Sequence, residues 1–403
     1  MKRGINGFEP DRLVQVLAAR RLSQVQLATM VGVSPSTVSK WRSGQQSPES
    51  ETLERLASVV NVTPEWFTRP VVSKTTPPLF RSNASAHVAA RGMLEARLEW
   101  VQEIALSLGE FVDFPVVNIP ARCFVDPADI TSADIETAAQ ECRDAWRLGS
   151  GPIPDVALAL ENAGVILARE ETGVAQIEGL SAWSELLVRP LVLLAADKGN
   201  GFRSRFDAAH ELGHLVLHKH IPKATAPERH KEMERQAHRF AGAFLLPAQS
   251  FAAEIRMPVT LDSLLLLKQR WGVSVAAMIM RLEALGIIGD GEKLMLFKRR
   301  SARWGAKAEP GDDGRPPEQP RLLKRTIDLL MGAGVMPREG LSRHLGLSNR
   351  DIEALSGLPH KFLDGSAEVV ELARLKETPL REGAGSGELS ASVLNFTRQR
   401  KQF

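Results

Sequence analysis

The sequence predicts a multidomain protein of the α+β class, with a helical N-terminal unit, an α+β central domain and a small helical C-terminal region. Three observations carry this prediction. At 403 residues the chain is too long for one ordinary domain. Its first part, residues 8–67, contains short helical patterns divided by glycines and a proline. Its centre mixes strand-like apolar runs, such as 186–194, with helical patterns, as α+β domains do.

Proline-rich, glycine-rich and charged stretches indicate where these units end. The predicted order is a helical domain at 1–67, a linker and long helix at 68–114, the α+β domain at 115–300, a second linker at 301–320, a small helical domain at 321–378 and a tail at 379–403.

The composition is that of a folded globular protein, with 43% hydrophobic and 25% charged residues. No apolar run approaches the ~18 residues of a membrane span. No signal-peptide core follows the N-terminus, so we expect a cytoplasmic protein without a membrane partner. The two cysteines, Cys123 and Cys142, form no CxxC pair. That usage fits a reducing compartment and provides no thiolate metal site.

Residues 22–41 have the pattern of two short helices joined by a tight turn. Gly32 ends the first helix, and Ser34 is placed to cap the second, with Pro35 in its first turn. This arrangement predicts a helix-turn-helix whose second helix enters the major groove. Gln24 would contact a phosphate or brace that helix. The predicted DNA-contacting residues are Gln24, Ser34, Ser36, Thr37, Ser39, Lys40 and Arg42.

Residues 12–67 resemble the Cro/C1-type (XRE) domain of phage and bacterial repressors. The resemblance lies in the Ser-Gln start, the Gly-Val-Ser turn, the Trp-x-x-Gly exit and the closing Pro-Glu-Trp-Phe. It implies a double-stranded DNA operator as partner. Such domains commonly carry an acidic residue where this chain has Arg42. Because one module reads only a half-site, we also expect a homodimer.

The long helix predicted after the first linker carries a seam of apolar residues at steps of 4, 3, 4 and 3. Two interpretations stay open, because the seam spans only two heptads. It pairs two subunits, or it packs on the following domain. Its members are Leu94, Leu98, Val101, Ala105 and Leu108.

A candidate metal site lies in the stretch His210-Glu211-Leu212-Gly213-His214. On a helix the two imidazoles lie one turn apart on a single face, close enough to bind one cation at ~2.1 Å. Glu211, next to the first ligand, can reach a metal-activated water and act as general base. Gly213 allows a close approach beside the site.

A second helix, predicted over 233–247, supplies the third ligand. Glu234 lies at the edge of its buried stripe, where a carboxylate is costly unless it is paired or ligating. His238 is the rival ligand or an outer-shell partner. Since the chain has no tyrosine, an oxyanion needs another donor. His218 or His220 is a candidate, unless it only interacts with the helix dipole. His230 is assigned a solvated or structural role.

Residues 135–288 resemble the ImmA/IrrE family of metallopeptidases, through Gly151-Pro152-Ile153, Arg189-Pro190, Arg205-Phe206, the Ala-His-Glu-Leu-Gly-His block and Phe240-Ala241 running to Leu245-Leu246-Pro247. The resemblance implies a zincin-like fold, zinc ligands at His210, His214 and Glu234, and a catalytic base at Glu211. Where the family usually has Asn, this chain has His238. A carboxylate among the ligands is compatible with zinc and with manganese, and zinc is the first choice.

The two resemblances together predict a DNA-binding regulator with an endopeptidase domain. Members of the resembled peptidase family cut helix-turn-helix repressors, so the expected substrate is a repressor-type partner or this chain's own linker near 68–78. Two alternatives remain. One is a transcription factor whose metal domain only senses or folds, which the intact Glu211 disfavours. The other is an antitoxin or scaffold that acts by contacts of 322–363, where 341–355 also has a helix-turn-helix pattern.

Overall fold

The architecture is that of a computed structural model, which describes residues 4–72, 75–76, 88–173, 178–197, 199–222, 226–305 and 308–364. All of these residues belong to one unit, residues 1–365. The predicted tail lies outside the described residues. The α+β prediction, with helices at both ends and a small sheet in the centre, is confirmed.

The N-terminal unit contains short helices that end where the glycines and proline predict. Ser23 begins the second helix with a capping box: its hydroxyl accepts from the Gln26 amide, and the Gln26 side chain accepts from the Ser23 amide. Gly32 ends that helix at φ +76°, and Ser34 caps the next. The elements are α1 (Pro10–Arg20), α2 (Gln24–Val31), α3 (Pro35–Arg42), α4 (Ser50–Val60) and a 3-10 turn (Pro64–Thr68).

The long helix α5 (Val88–Gly109) is buried on nearly every side. All members of the predicted seam are at most 2% exposed, and so is Trp100 on another face. The helix packs on α1 and on the central sheet of the same chain. The seam therefore packs within the chain, and the interpretation that it pairs two subunits is wrong.

The central domain begins with α6 (Ser132–Ala145) and α7 (Val156–Asn162) and continues into a sheet of three strands among the described residues. The strands β1 (Ile166–Glu170), β2 (Gly179–Ser184) and β3 (Arg189–Ala195) lie in the order β1-β3-β2, with β1 parallel and β2 antiparallel to β3. Alternate residues face opposite cores: Leu191 and Leu193 join the core around α5, and Val192 and Leu194 join the core around the helices that follow.

Two long helices, α8 (Gly201–Leu217) and α9 (Pro227–Leu245), pack against each other after the sheet. Asn200 caps α8 and Pro227 begins α9, so both start at residues suited to helix N-termini. Shorter helices complete this core: α10 (Ala248–Ala253), α11 (Leu261–Trp271), α12 (Val275–Ala284) and α13 (Asp290–Trp304).

Two carboxylates hold the part of the predicted second linker that the structure describes. Glu309 accepts hydrogen bonds from the first amides of α12, and Glu318 accepts from the first amides of α7. Both carboxylates are placed at positively polarised helix ends. The chain between 308 and 320 is therefore attached to the central domain.

The C-terminal helices α14 (Leu322–Gly332), α15 (Arg338–Leu345) and α16 (Asn349–Ser356) pack into the same core as α1 and α5. The α15–α16 pair has helix-turn-helix shape, with Gly346 at φ +73° and Ser348 as N-cap. Its second helix is largely buried, however, so it presents no free face to a DNA groove. None of the helices in the described part of the chain is long and apolar enough to cross a membrane.

Candidate metal centre and nucleic-acid interface

Three side chains from α8 and α9 converge on one point. The Nε2 atoms of His210 and His214 are 3.1 Å apart. Glu234 Oε2 lies 3.2 Å from the first of them, and Glu234 Oε1 lies 3.3 Å from the second. Among the described residues, no other three His, Cys, Asp or Glu side chains bring ligand atoms this close.

This donor set fits a divalent ion. Three ligands at about 2.1 Å from a tetrahedral ion lie about 3.4 Å from one another, close to the separations observed here. Two imidazole nitrogens and one carboxylate oxygen leave a fourth position for water or substrate. His210, His214 and Glu234 are therefore the residues that would hold the metal.

The packing of α8 on α9 sets the distance between the ligands. His210 and His214 are one helical turn apart on α8, on the face that meets α9. Gly213 lies where the helices touch: a Cβ there would be 3.1 Å from the Cα of Ala237 and 3.2 Å from the Cβ of Phe240. The absence of a side chain at Gly213 thus lets Glu234 reach the imidazoles.

The site is buried, and its carboxylate and imidazoles shift each other's pKa values. Both imidazoles are at most 4% exposed, and the Glu234 side chain is 13% exposed. Burial would raise the pKa of Glu234, but His214 and His210 outweigh it and hold that pKa well below its usual range. Burial would lower the pKa of His214, but the Glu234 carboxylate reverses the shift and raises it. The cluster therefore favours a bound positive charge.

A series of hydrogen-bonded side chains lies behind His214. His218 Nδ1 is 2.9 Å from His214 Nδ1, and His218 Nε2 is 3.0 Å from the Gln236 amide oxygen. Gln236 in turn donates to the carbonyl of Pro127 at 2.6 Å. If His214 donates from Nδ1 and His218 from Nε2, every contact is satisfied and His214 Nε2 keeps its lone pair for a metal.

His218 therefore lies behind a ligand rather than beside the open position. It is 2% exposed, and both of its ring nitrogens are engaged. Burial and the neighbouring His214 lower the pKa of His218 to about 3, which keeps the ring neutral. These contacts agree with a role in orienting His214, and they do not agree with the oxyanion role considered from sequence.

Glu211 and His238 lie on either side of the ligand cluster. Glu211 is 3% exposed, and a Cβ on Gly179, at the start of β2, would be 3.4 Å from its Oε1. The His238 ring packs edge-on against Phe206 and His210, with centroids 4.8 and 5.5 Å away. His238 is not part of the three-ligand cluster, so the expectation that it rivals Glu234 as third ligand is wrong.

The sequence did not indicate that His230 lies beside the metal ligands. It lies one turn before Glu234 on α9, with its Nε2 3.9 Å from Glu234 Oε1, and its side chain is 13% exposed. Its Nε2 is buried and makes no hydrogen bond among the described residues. Its spacing of four residues from Glu234 was the available signal, since such residues share one helical face.

A cleft of about 560 Å³ adjoins the site on the His238 side. Phe206, Met280 and Phe297 contribute apolar surface. Arg239 lines the same cleft, and its guanidinium makes one long hydrogen bond, 3.4 Å, to the carbonyl of Ala284. The cleft is large enough for part of a peptide chain and combines apolar surface with charged side chains of both signs.

The helix-turn-helix presents the second helix outward. Ser36, Ser39, Lys40 and Arg42 are exposed along α3. Ser34 and Thr37 are engaged in capping, since the Thr37 amide donates to the Ser34 hydroxyl.

Gln24 braces α3 rather than pointing away from it. Its amide nitrogen donates to the Pro35 carbonyl at 2.6 Å, and its amide oxygen accepts from Arg42 at 3.1 Å. This agrees with the bracing role considered from sequence. It also gives Arg42 a hydrogen-bond partner within the domain.

Comparison with known families agrees with both parts of the molecule. Residues 13–67 match a family described as helix-turn-helix. Residues 160–283 match a peptidase family described as the IrrE N-terminal-like domain. This match confirms the resemblance stated from sequence, and it implies a divalent metal. No curated protein matches the chain.

Proposed function

We propose that this chain, which joins a DNA-binding helix-turn-helix domain to an IrrE-like peptidase domain, is a transcriptional regulator that acts as a zinc-dependent endopeptidase. Its substrate is a repressor-type protein or its own segment at 68–78, and cleavage relieves repression. The observation that carries the proposal is the convergence of His210, His214 and Glu234 beside a buried Glu211.

The residues at this site have separable roles in peptide hydrolysis. When bound, zinc supplies a Lewis acid that polarises the scissile carbonyl and makes water acidic near neutral pH. Glu211 accepts the proton of the attacking water on a carboxylate oxygen and delivers it to the departing amine. His218 and Gln236 keep the His214 ring in its ligating orientation.

The same site contains a candidate for stabilising the negative charge that develops on the carbonyl oxygen. Tyrosine, a common donor for this task, does not occur in the chain. His230, with its buried Nε2 beside Glu234, supplies an N–H that needs no displacement of another partner. His230 is therefore the side chain to which we assign this role.

The N-terminal domain brings the protein to an operator. The exposed polar side chains of α3 face the major groove, and Lys40 and Arg42 add phosphate contacts. Two copies bind adjacent half-sites, so we propose a homodimer on DNA. We propose that the protein acts in the cytoplasm.

The alternatives fit the molecule less well. A metal that only stabilises the fold or acts as a sensor needs no general base. Glu211, however, lies buried beside the ligands. A scaffold acting through 322–363 needs a broad free apolar face there, yet Leu323, Ile327 and Leu341 are at most 2% exposed within the chain. Leu329 and Val335 are the large apolar side chains exposed in the described part of this region.

The decisive experiment compares wild type with Glu211→Gln, each loaded with one equivalent of zinc. Both should retain the metal, because Glu211 is not a ligand, and only wild type should cut a repressor-type protein or its own segment at 68–78, detected by intact-mass spectrometry. Glu228→Gln, an exposed carboxylate change on α9, serves as control. If wild type leaves its own chain and all repressor candidates intact, the pure transcription-factor alternative stands instead.

A further inference from the structure

β2 packs against α8. In the part of the sheet that the structure describes, β2 is an edge strand, because β3 is the only strand that pairs with it. Its first residue, Gly179, approaches Glu211. Near its other end, the indole of Trp183 donates to the carbonyl of Leu215 on α8 at 3.4 Å. A peptide that pairs with this edge would therefore pass the general base.

The chain's own interdomain segment already occupies one end of this edge. Thr75 forms an antiparallel bridge with Ser184. The Thr76 amide donates to the Trp183 carbonyl at 2.8 Å, and the Trp183 amide donates to the Thr76 hydroxyl at 2.9 Å. Two described residues of the segment thus behave as an added strand.

The segment is also attached to the DNA-binding domain. Arg12 of α1 donates to the carbonyls of Arg69 and Pro70 at 3.0 and 2.7 Å. Gln102 of α5 donates to the Val72 carbonyl at 2.7 Å. These contacts hold the segment as far as Val72, three residues before Thr75 meets the edge of β2.

The contact with β2 borders a cavity of about 220 Å³ that reaches one of the proposed metal ligands, His214. Thr76, Ser181 and Trp183 also line this cavity. Ser181 is 4% exposed, and its hydroxyl makes no hydrogen bond among the described residues. A buried hydroxyl without a partner among the described residues can form a hydrogen bond with a polar group that enters the cavity.

We propose that the segment around Thr75–Thr76 restrains the enzyme by occupying the outer edge of β2, where an extended peptide substrate would otherwise pair. The edge would take such a peptide by main-chain hydrogen bonds, with the Ser181 hydroxyl as a further contact. This inference rests on the proposed peptidase function. It adds that a substrate must first displace part of the chain that connects the DNA-binding domain to the peptidase domain.

The physical basis is intramolecular competition. A segment tethered on one side by Arg12 and Gln102 has a high effective concentration at β2, so a free peptide competes at a disadvantage. Weakening the contact between Thr76 and Trp183 lowers that disadvantage without altering the metal ligands or Glu211. Any event that pulls the segment from β2 would then increase access to the site.

The test uses the full chain carrying Glu211→Gln, so that bound peptide is not cut. Thr76→Pro removes the amide and the hydroxyl that contact Trp183, whereas Thr76→Ser keeps both. The probe is a fluorescein-labelled peptide with the sequence of residues 70–80. We expect Thr76→Pro to bind the probe about tenfold or more tightly than Thr76→Ser or the Glu211→Gln protein with Thr76 intact. The loss of the two hydrogen bonds between Thr76 and Trp183 accounts for an effect of this size. Equal affinities for the three proteins would overturn the proposal.

Amide hydrogen exchange of Trp183 gives a second measurement that also guards against misfolding. In Thr76→Pro the Trp183 amide should exchange about tenfold or more faster, and added probe should restore its protection, while amides of β3 remain protected. Unchanged Trp183 exchange would contradict docking of the segment. Because neither measurement needs catalysis, docking can hold even if wild type proves to cut nothing, and the two proposals fail separately.

Discussion

Glu234 is the residue on which the metal centre depends. A carboxylate that is mostly buried costs several kcal/mol unless a cation or hydrogen bonds compensate it. Here the compensation comes from two imidazoles at 3.2 and 3.3 Å. A divalent ion between the three groups would relieve the carboxylate fully, because all three supply lone pairs to the same point.

Replacing Glu234 with Gln should abolish tight zinc binding. The change removes both a ligand and the negative charge, so the affinity should fall by more than the roughly 10- to 100-fold that an outer-shell partner contributes. Competition with a chromophoric chelator measures it. Zinc at about 100 times its Kd should stabilise wild type by about 2.7 kcal/mol against unfolding, and this gain should vanish in the variant. Glu228→Gln should behave as wild type, and equal zinc affinity in Glu234→Gln would remove this residue from the metal centre.

Replacing His218 with Phe should weaken the metal centre without abolishing it. The His214 ring would lose the partner that fixes its tautomer and orientation, which typically costs about 10- to 100-fold in metal affinity. Zinc affinity is again the measurement, with the folded state checked by thermal unfolding. His220→Ala, an exposed histidine two residues on, is the matched control. A His218 variant with wild-type affinity would show that the hydrogen-bonded chain has no orienting role.

At the scale of elements, the contact between α8 and α9 determines whether the ligands meet. The two histidines belong to one helix, so their separation follows from helical geometry alone. The distance to Glu234 instead depends on how closely the helices approach. Gly213 permits that approach, since its neighbours on α9 would be 3.1–3.2 Å from any added Cβ.

Gly213→Ala should push α9 away from α8. We expect a loss of about 1–3 kcal/mol in the free energy of unfolding, as for other overpacked cores, together with weaker zinc binding. Urea unfolding and zinc competition measure the two effects. Gly242→Ala on α9 is the matched control, because its added Cβ would meet only the Arg281 side chain at 3.7 Å. Equal effects at both glycines would contradict the argument.

The second element with a predicted consequence is α3. Lys40 is exposed on this helix, and its ammonium group pairs with none of the residues that the structure describes, so it can contact a DNA phosphate. Lys40→Ala should weaken binding to duplex DNA of any sequence and reduce the salt dependence by about one unit of slope. Fluorescence anisotropy between 50 and 200 mM salt tests this. Arg55→Ala on α4, whose guanidinium pairs with Glu51, should leave the slope unchanged.

At the scale of the whole molecule, Asp351 links parts of the chain that are distant in sequence. Its carboxylate accepts from Arg20 of α1 at 2.7 Å and also pairs with Arg97 of α5. Arg97 in turn donates to Glu170 of β1 at 2.8 Å. One ionic network thus joins the DNA-binding domain, the long helix, the central sheet and the C-terminal helices.

This network should make stability depend on pH below about 4. Burial would raise the pKa of Asp351, but Arg20 and Arg97 outweigh it and lower the pKa to about 2. A carboxylate with a lowered folded-state pKa stabilises the fold above its unfolded pKa of about 3.9, and that contribution is lost as the pH falls towards 2. The amount is about 2.6 kcal/mol for this shift. Urea unfolding at several pH values between 2 and 6 measures it.

Asp351→Asn should remove this pH-dependent contribution and destabilise the fold by about 3–5 kcal/mol at neutral pH, because buried guanidinium groups lose a partner. Asp328→Asn, whose partner Lys324 is 37% exposed, should change little. An Asp351 variant that keeps the wild-type pH profile would show that other carboxylates are responsible.

Much of this molecule is determined by local sequence. The helix-turn-helix follows from Ser23, Gly32 and Ser34, because caps and a left-handed glycine fix helix ends within a few residues. The spacing of His210 and His214 follows from the helical repeat. These features need only short-range geometry, and patterns of a few residues carry that information.

Only the tertiary structure decided which distant groups meet. The seam of α5 was equally consistent with a partner subunit, and it is buried because α1, the sheet and the C-terminal helices surround it. His218 lies behind His214, His230 beside Glu234, and Thr76 on the edge of β2, because helix packing and strand pairing bring them there. Periodicity states which face of an element is apolar, and the close packing of the whole chain determines what that face touches.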